Sequence, residues 1–208
     1  MIDLPPDCIP SRTASTMNAP TNAPCQLESI PAISSALRIT SSNAEPMIAP
    51  KAEAEVAFVL KSDLIGPGVT AADVLRATDF VVPCFEIVDS RIRDWKIKIQ
   101  DTVADNASCG VLTLGGVRRS PRQLDLALAG MVLEKNGEVI STSTGAAVQG
   151  SPANAVAWLA NTLGRLGIGM KAGEVILSGS QSPLVPVKAG DSLRCDVGGL
   201  GGTSVRFI

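Results

Sequence analysis

The sequence of 208 residues contains no histidine, and this absence excludes several kinds of chemistry. A Ser-His-Asp triad, a Cys-His pair, a histidine metal ligand and a histidine pH switch all need the imidazole ring. Any catalysis must therefore use carboxylates, lysines, hydroxyls, backbone groups or a metal ion held by oxygen ligands.

An excess of positive charge is also missing, since 18 basic residues face 20 acidic ones. A protein that binds nucleic acid through phosphate contacts needs a basic face, so we expect no nucleic-acid partner. No apolar run approaches the roughly 18 residues that a membrane-spanning helix requires, so we expect no membrane association.

The five cysteines are widely spaced and form no Cys-x-x-Cys motif. An odd number with this spacing argues against a disulfide framework and against a zinc site. The N-terminus also lacks the basic and apolar regions of a secretory signal peptide. These features indicate a reducing compartment, and we expect the protein to be cytoplasmic.

The composition changes abruptly near residue 50. Residues 1–50 hold eight of the 14 prolines and no glycine, lysine or aromatic residue, whereas all 19 glycines lie beyond them. We therefore expect residues 1–48 to form an irregular segment and residues 49–208 to form one folded domain.

Within the second segment, the hydrophobic pattern indicates more strand than helix. Asn136-Gly137 is typical of a hairpin turn, and the apolar stripe after Pro152 is typical of a helix that Gly167 ends. The pattern predicts strands over 53–60, 80–88, 127–134, 138–144 and 204–208, and helices over 71–77 and 152–166. An antiparallel or mixed β-sandwich or roll fits this order of elements.

Three glutamates in the predicted strands attract attention. Glu53 and Glu55 lie two residues apart, so their side chains leave the same face of a strand. Glu86 lies inside an apolar run, where burial of a carboxylate costs on the order of several kcal/mol unless the group is paired or coordinated. A hard divalent cation would satisfy all three. The pattern alone favours a simpler interpretation, with an exposed strand end for the pair and an arginine beside Glu86.

A polar segment over residues 101–108 is the second candidate. It can present Asp105, Asn106 and Ser108 to a ligand, although residues of these types also cap helices and form turns, and by themselves they favour that structural role. The glycines over 198–202 are more typical of a tight turn than of a phosphate-binding loop, because no helix follows them.

Several longer stretches closely resemble the 2-keto-4-pentenoate hydratases, also called 2-hydroxypenta-2,4-dienoate hydratases. The stretches are KAEAEVAF from residue 51, PCFEIVDSRIRDWKIKIQDTVADNASCG over 83–110, GMVLEKNGEV over 130–139, NAVAWLANTLG over 154–164, KAGEVILSGS over 171–180 and GGLGGTSVRF over 198–207. The resemblance covers about residues 49–208. It implies the fold of the fumarylacetoacetate hydrolase-like superfamily, an α+β, β-rich mixed β-sandwich roll of the fumarylacetoacetate hydrolase C-terminal-domain type.

The resemblance also implies a metal site. In that superfamily a Glu-x-Glu pair and a later glutamate bind a divalent metal, and here they match Glu53, Glu55 and Glu86. The resemblance therefore favours a Mg²⁺ or Mn²⁺ cofactor over the exposed-strand interpretation.

The same resemblance implies the residues of a pocket beside the metal. The segment VADNAS lies there in relatives, which implies catalytic roles for Asp105 and Ser108 and a substrate-binding role for Asn106. Ser178 and Gly179 match a turn that lines the pocket, and the resemblance implies that they bind substrate.

The activity implied is metal-dependent addition of water to 2-hydroxypenta-2,4-dienoate, giving 4-hydroxy-2-oxopentanoate in the meta-cleavage catabolism of aromatic compounds. A 4-oxalocrotonate decarboxylase on the same scaffold and an inactive truncated paralogue are the alternatives. The partners implied are a small 2-oxo- or 2-hydroxy-dienoate substrate, further copies of the chain in a homo-oligomer, and a decarboxylase or aldolase of the same pathway.

Residues 1–48 depart from the family pattern. Members carry a longer N-terminal region with a Lys-x-Gly motif whose lysine reaches the substrate, and this stretch has neither lysine nor glycine. Either the N-terminus is a divergent variant, or the reading frame upstream of Ile48 is not the family's. The abrupt change of composition favours the second explanation. Both predict a chain that keeps the metal ligands but hydrates the substrate weakly.

Overall fold

The computed structural model describes the backbone of residues 36–39 and the whole of residues 47–208. This part of the chain contains ten strands and three α-helices. The strands are β1 (Ala36–Ile39), β2 (Lys51–Leu60), β3 (Thr78–Val88), β4 (Cys109–Leu114), β5 (Gly130–Lys135), β6 (Glu138–Thr144), β7 (Val175–Leu177), β8 (Val185–Pro186), β9 (Ser192–Val197) and β10 (Gly201–Phe207), and the helices are α1 (Ala71–Ala77), α2 (Ile99–Ala104) and α3 (Pro152–Gly164).

The strands form two sheets. One has the order β1-β10-β9-β5-β6, and the other has the order β4-β3-β2-β7, with β8 also paired to β2. β1 runs parallel to β10, and the other pairings are antiparallel. The mixed, strand-rich α+β architecture predicted from the sequence is therefore confirmed.

The main core lies on one face of β2 and β3, where side chains of both sheets and of α1 and α3 meet. Alternate residues of β2, among them Val56 and Phe58, pack in the same cluster as Met131 of β5 and Leu193 of β9. Burying a side chain of this size contributes about 2–3 kcal/mol, so this face anchors β2 firmly. The side chains on the other face of β2 lie outside this main core.

The local elements largely follow the sequence prediction. Thr70 caps α1 through a reciprocal pair of hydrogen bonds with Asp73. Asn136 and Gly137 both have positive φ angles, of 55° and 86°, as a two-residue hairpin turn requires. α3 ends two residues earlier than predicted, and the last apolar residue of the predicted stripe, Leu166, is largely exposed.

Most of the segment 1–48 that was predicted to be irregular lies outside the described residues. Within it, Ala36–Ile39 forms β1 beside β10. At its end, the backbone N–H groups of Ile48 and Ala49 donate to the two carboxylate oxygens of Asp89, at 2.6 and 2.7 Å. The domain boundary at residue 48 stays a prediction.

The cysteines Cys84, Cys109 and Cys195 are buried free thiols. Cys84, in the apolar run of β3, is fully buried. In the part of the chain that the structure describes, no helix is both long enough and apolar enough to cross a membrane.

Candidate metal centre

The candidate site lies on the outer face of the β2–β3 pair, opposite the main core. Glu53 and Glu55 leave this face two residues apart, and the antiparallel register places Glu86 directly opposite Glu53 and Cys84 opposite Glu55. Carboxylate oxygens of the three glutamates all lie within 4.8 Å of one another. The strand geometry thus brings together the three residues that were predicted as metal ligands.

Two of the three glutamates are buried, and Glu53 is partly buried. Glu55 is 2% exposed and Glu86 is 6% exposed. Next to them, a small apolar cluster of Ala57, Val82 and Leu177 covers the same face. An exposed strand end, which the residue pattern alone favoured for the Glu53–Glu55 pair, therefore does not describe the position of Glu55.

Burial and mutual repulsion shift the titration of these groups. Burial, followed by the charge of Glu86, raises the pKa of Glu53 from 4.5 to about 7, against an opposing hydrogen bond with Glu55. Burial, the charge of Glu86 and then that of Glu53 raise the pKa of Glu55 well above its ordinary value. The N–H of Gly179 donates to Glu55 Oε2 at 2.8 Å and opposes this shift. Without a cation, the ionised cluster is unfavourable.

The donor set fits a hard divalent cation. Three carboxylates supply only oxygen ligands, which Mg²⁺, Mn²⁺ and Ca²⁺ prefer. The cluster itself contains no histidine and no cysteine. Their negative charges are the reason that the cluster would accept a cation, and their closeness allows one ion to contact all three.

The three glutamates line a cavity of about 240 Å³. One part of its lining is polar, and the rest is largely apolar. Apart from the three glutamates, the lining residues are Val88, Trp95, Ile97, Thr102, Ala107, Ser108, Leu177, Gly179, Ser180 and Leu184. A small molecule held at the carboxylates would therefore extend along an apolar wall.

The segment 105–108 forms one side of this cavity. Asn106, Ala107 and Ser108 have consecutive φ angles of 53°, 57° and 58°, a left-handed conformation that is unfavourable for residues with a side chain. This turn places the buried Ser108 in the cavity lining. Such a backbone persists only where the surrounding structure holds it.

Ser108 and Asp105 are joined. Ser108 Oγ donates to Asp105 Oδ2 at 3.0 Å, and Arg91 Nε lies 3.5 Å from Asp105 Oδ1. Ser108 lines the cavity, whereas Asp105 stands behind it, outside the lining. Asn106, also predicted as a site residue, is exposed and does not line the cavity.

The turn after β7 forms another side. Gly179, with a φ of 99°, lines the cavity and donates its N–H to Glu55. Ser178 is buried, but it lies outside the lining, and its hydroxyl is 3.4 Å from the carbonyl oxygen of Gly179. Its neighbour Ser180 does line the cavity and was not predicted.

Sequence reasoning also missed Trp95 and Thr102 as lining residues. Trp95 lies in a charged stretch, where a single tryptophan carries no positional signal. Its ring lies 4.0 Å from Lys51 Nζ, and its Nε1 donates to the carbonyl oxygen of Ala49 at 2.9 Å. These contacts join residues that are more than 40 positions apart, so no local pattern indicates them.

Comparison with known families gives one extensive match. The sequence model of the family described as fumarylacetoacetate (FAA) hydrolase C-terminal matches residues 12–207. The match begins upstream of the boundary at residue 48 that the composition predicts.

Several curated proteins are similar to the chain. It is 62% identical over 167 residues to a 2-hydroxyhexa-2,4-dienoate hydratase of Comamonas testosteroni, which covers 80% of the chain and 63% of that protein. It is 68% identical over 124 residues to a 2-hydroxypent-2,4-dienoate hydratase of Pseudomonas putida, covering 60% and 56%. A 2-keto-4-pentenoate hydratase of Paraburkholderia xenovorans is 54% identical over 158 residues, covering 76% and 59%. The chain thus spans about three fifths of the length of these relatives.

Solved structures share the fold. The 4-oxalocrotonate decarboxylase of Pseudomonas putida G7, complexed with magnesium and adipate, superposes with a TM-score of 0.75 at 44% identity, over 78% of the chain and 62% of that protein. The same enzyme complexed with calcium and acetate gives a TM-score of 0.76 at 42% identity, over 83% and 64%.

Proposed function

The chain belongs to the fumarylacetoacetate hydrolase C-terminal family, and from this premise we propose that it is a divalent-metal-dependent hydratase. The proposed reaction adds water to 2-hydroxypenta-2,4-dienoate and gives 4-hydroxy-2-oxopentanoate. The observation that carries the proposal is the convergence of three carboxylates, two of them buried and one partly buried, at a small, largely apolar cavity. The names of the hydratase relatives support the reaction type.

Glu53, Glu55 and Glu86 would hold Mg²⁺ or Mn²⁺. When bound, the ion would act as a Lewis acid toward the 2-oxygen and carboxylate of the substrate. The N–H of Gly179 donates to one oxygen of Glu55 and so helps to orient this carboxylate.

The reaction needs groups that move protons. Overall, the enol proton leaves O2 and a proton reaches C5, while water gives its hydroxyl to C4 and a proton reaches C3. Ser108 faces the cavity and donates to Asp105, so it can pass a proton from the cavity to that carboxylate. We assign this relay to Ser108 and Asp105, with Asn106 and Ser178 supporting the loops from outside the lining.

The apolar wall has a separate part. Val88, Ile97, Leu177 and Leu184 line the cavity around the place where the hydrocarbon end of the substrate would lie. They limit the number of water molecules near the reacting carbons. Water exclusion also strengthens the electrostatic interactions at the carboxylates.

A direct assay tests this function. Dienol hydration is measured on the purified protein with and without Mg²⁺, and compared with Glu53→Gln and with the surface control Glu138→Gln, which lies on β6. We expect Mg²⁺-dependent hydration by the wild type and by Glu138→Gln, and loss of at least about 100-fold in Glu53→Gln. Equal rates in the presence and absence of the ion would contradict a metal-dependent hydratase.

A second enzyme activity is supported by the solved structures of 4-oxalocrotonate decarboxylase. Its substrate is also an acid with a 2-oxygen, so the metal-binding half of the cavity would serve both reactions. Release of CO₂ from 2-oxohex-3-enedioate, measured on the same preparation, distinguishes them. Decarboxylation without dienol hydration would replace the first proposal by the second.

We further propose that the chain forms a homo-oligomer in the cytoplasm and associates with a decarboxylase or aldolase of the same pathway. Exposed apolar side chains such as Trp158, Leu128 and Ile65 are the kind of surface that subunit contacts cover. The free thiols among the described residues are compatible with a reducing compartment. Light scattering and co-purification with pathway enzymes test these points.

A further inference from the structure

The indole of Trp95 is fixed in place from several directions. Its Nε1 donates to the carbonyl oxygen of Ala49 at 2.9 Å, and Lys51 Nζ lies 4.0 Å from the centre of the ring. The backbone at Asp94 and Trp95 is left-handed, with φ angles of 59° and 55°. Residues with side chains adopt this conformation only where their surroundings hold it, so the position of the ring is specified by the fold.

Trp95 lines the same cavity as the three glutamates. Together with Ile97, Leu177 and Leu184 it faces whatever extends away from the carboxylates. The aliphatic side chains accept an apolar tail of any shape. The indole differs from them because a flat, conjugated group can stack in parallel on its face, whereas a puckered saturated group touches that face only through a few C–H groups and gains less from the contact.

Lys51 connects this ring to β2, the strand that carries Glu53 and Glu55. It lies two residues before Glu53 in β2, so the two side chains leave the same face of the strand. Its ammonium group stands over one face of the indole and is attracted by the ring electrons. One ring face is therefore occupied, and only the other can receive a ligand.

We propose that Trp95 selects planar, conjugated 2-oxo acids at this site and that Lys51 is the residue that positions it. Trp95 touches the ligand, and Lys51 acts through Trp95. This inference rests on the proposed function only in taking a chelating 2-oxo acid as the ligand; it does not depend on whether that acid is hydrated.

The test compares two acids with the same chelating group and a ring of the same size. Benzoylformate is planar and conjugated, and cyclohexylglyoxylate is puckered and saturated; neither has an alkene that water can add to. Dissociation constants for both are measured by calorimetry on the Mg²⁺-loaded full chain. The variants are Trp95→Leu, Trp95→Phe, Lys51→Met and Lys51→Arg, with Lys61→Met, at the exposed end beyond β2, as the matched control.

We expect the wild type to bind benzoylformate about tenfold more tightly than cyclohexylglyoxylate. The ratio should fall to about one in Trp95→Leu and stay near the wild-type value in Trp95→Phe. It should fall in Lys51→Met, recover in Lys51→Arg, which keeps a cation over the ring, and be unchanged in Lys61→Met. Mn²⁺ affinity should be the same in all variants, which separates selection from metal binding and from misfolding.

An unchanged ratio in Trp95→Leu would overturn the role of Trp95. A Lys51→Met variant that keeps the wild-type ratio would overturn the role of Lys51. If the wild type does not distinguish the acids, or binds neither, the inference is wrong. If the ratio behaves as expected but no dienol hydration is found, the proposed reaction fails while the selection by Trp95 stands.

Discussion

Glu55 shows most clearly why the site needs a cation. It is almost completely buried, it lies within 4.8 Å of two other carboxylates, and its own pKa is raised well above the ordinary value by burial first and by Glu86 and Glu53 next. A buried charge among like charges is among the most costly arrangements in a protein. Such a group lowers the stability of the folded protein but is well suited to bind a cation.

Glu55→Gln should therefore separate stability from metal affinity. The amide is nearly the same size and its oxygen can still accept from the Gly179 N–H, while one of three repelling charges is removed. We expect the melting temperature of the metal-free protein to be unchanged or higher, and Mn²⁺ affinity measured by calorimetry to fall at least about 100-fold. A variant with lower metal-free stability would contradict this account of the cluster.

The raised pKa of Glu53 predicts that the metal-free protein becomes less stable as the pH rises. Its pKa in the folded, metal-free protein is about 7, against an ordinary value of 4.5, because of burial and the charge of Glu86. The folded state holds this proton more tightly than the unfolded state. The stabilisation is thus complete below pH 4.5 and is lost as the pH rises through 7, by about 3 kcal/mol in total.

Urea denaturation at pH 5 and pH 8 measures this change. We expect the metal-free protein to be less stable at pH 8, and Glu53→Gln to lose only part of the difference, because the raised pKa of Glu55 acts in the same direction. Saturating Mg²⁺ should reverse the trend, because the ion binds the deprotonated carboxylates and so stabilises the fold more at pH 8. The lowered pKa values of Asp63, Asp73 and Asp191 act below this window and do not interfere.

Ser108 provides a third test at the scale of one residue. If it relays protons between the cavity and Asp105, Ser108→Ala should lower kcat for dienol hydration by about 10²–10⁴-fold. Mn²⁺ affinity should remain within about twofold, because the three glutamates are untouched. Steady-state kinetics and calorimetry make the comparison, with Ser62→Ala as an exposed control. Wild-type kcat in Ser108→Ala would remove Ser108 from the mechanism.

At the scale of elements, the two faces of the β2–β3 pair have different roles. One face packs in the main core, and the opposite face carries the glutamates. Because side chains alternate along a strand, a shift of one residue in this pairing would exchange the faces. The core residues of β2, such as Val56 and Phe58, therefore also set the position of the glutamates that are proposed to bind the metal.

The helix α3 packs very closely against the loop that follows β2. A Cβ atom added at Gly164 would lie 2.3 Å from the backbone carbon and oxygen of Gly66, so the two segments must separate if alanine is introduced. We expect Gly164→Ala to lower the free energy of unfolding by about 1–3 kcal/mol, despite the higher helix propensity of alanine. Chemical denaturation measures the change. Gly130→Ala, where an added Cβ meets nothing within 4 Å, is the control and should change little.

At the scale of the whole molecule, the chain spans about three fifths of the hydratase relatives, and residues 1–48 lack the lysine that the family resemblance leads us to expect. Holding a chelating acid and moving its protons are separate demands. We propose that the glutamates meet the first. The family resemblance implies that the second also draws on the N-terminal region.

Grafting a relative's N-terminal region onto residues 48–208 tests this division. We expect dienol hydration to rise by about 10²–10⁴-fold over that of the native chain, the typical contribution of a positioned proton donor or acceptor. Mn²⁺ affinity should not change. A native chain as active as the chimera would mean that residues 1–48 or the core already supply the missing chemistry.

Local patterns in the sequence were sufficient for most elements, whereas the three glutamates were favoured as metal ligands only through the family resemblance. The cap at Thr70, the turn at Asn136-Gly137 and the strands around Phe58 and Glu86 depend on residues close in sequence, and the structure contains all of them. The end of α3 was less predictable, because whether Leu166 packs depends on what lies opposite it.

By itself, the sequence determined that this is a strand-rich domain with carboxylates where apolar residues belong, because alternation, turn residues and buried charge are local signals. Only the tertiary structure decided that Glu86 stands opposite Glu53, that Gly179 binds Glu55, and that Trp95 lines the cavity under the ammonium of Lys51. These contacts join residues some 30 to 120 positions apart. Strand register and loop conformation set them, and both are settled by burial of the whole core rather than by any short stretch of chain.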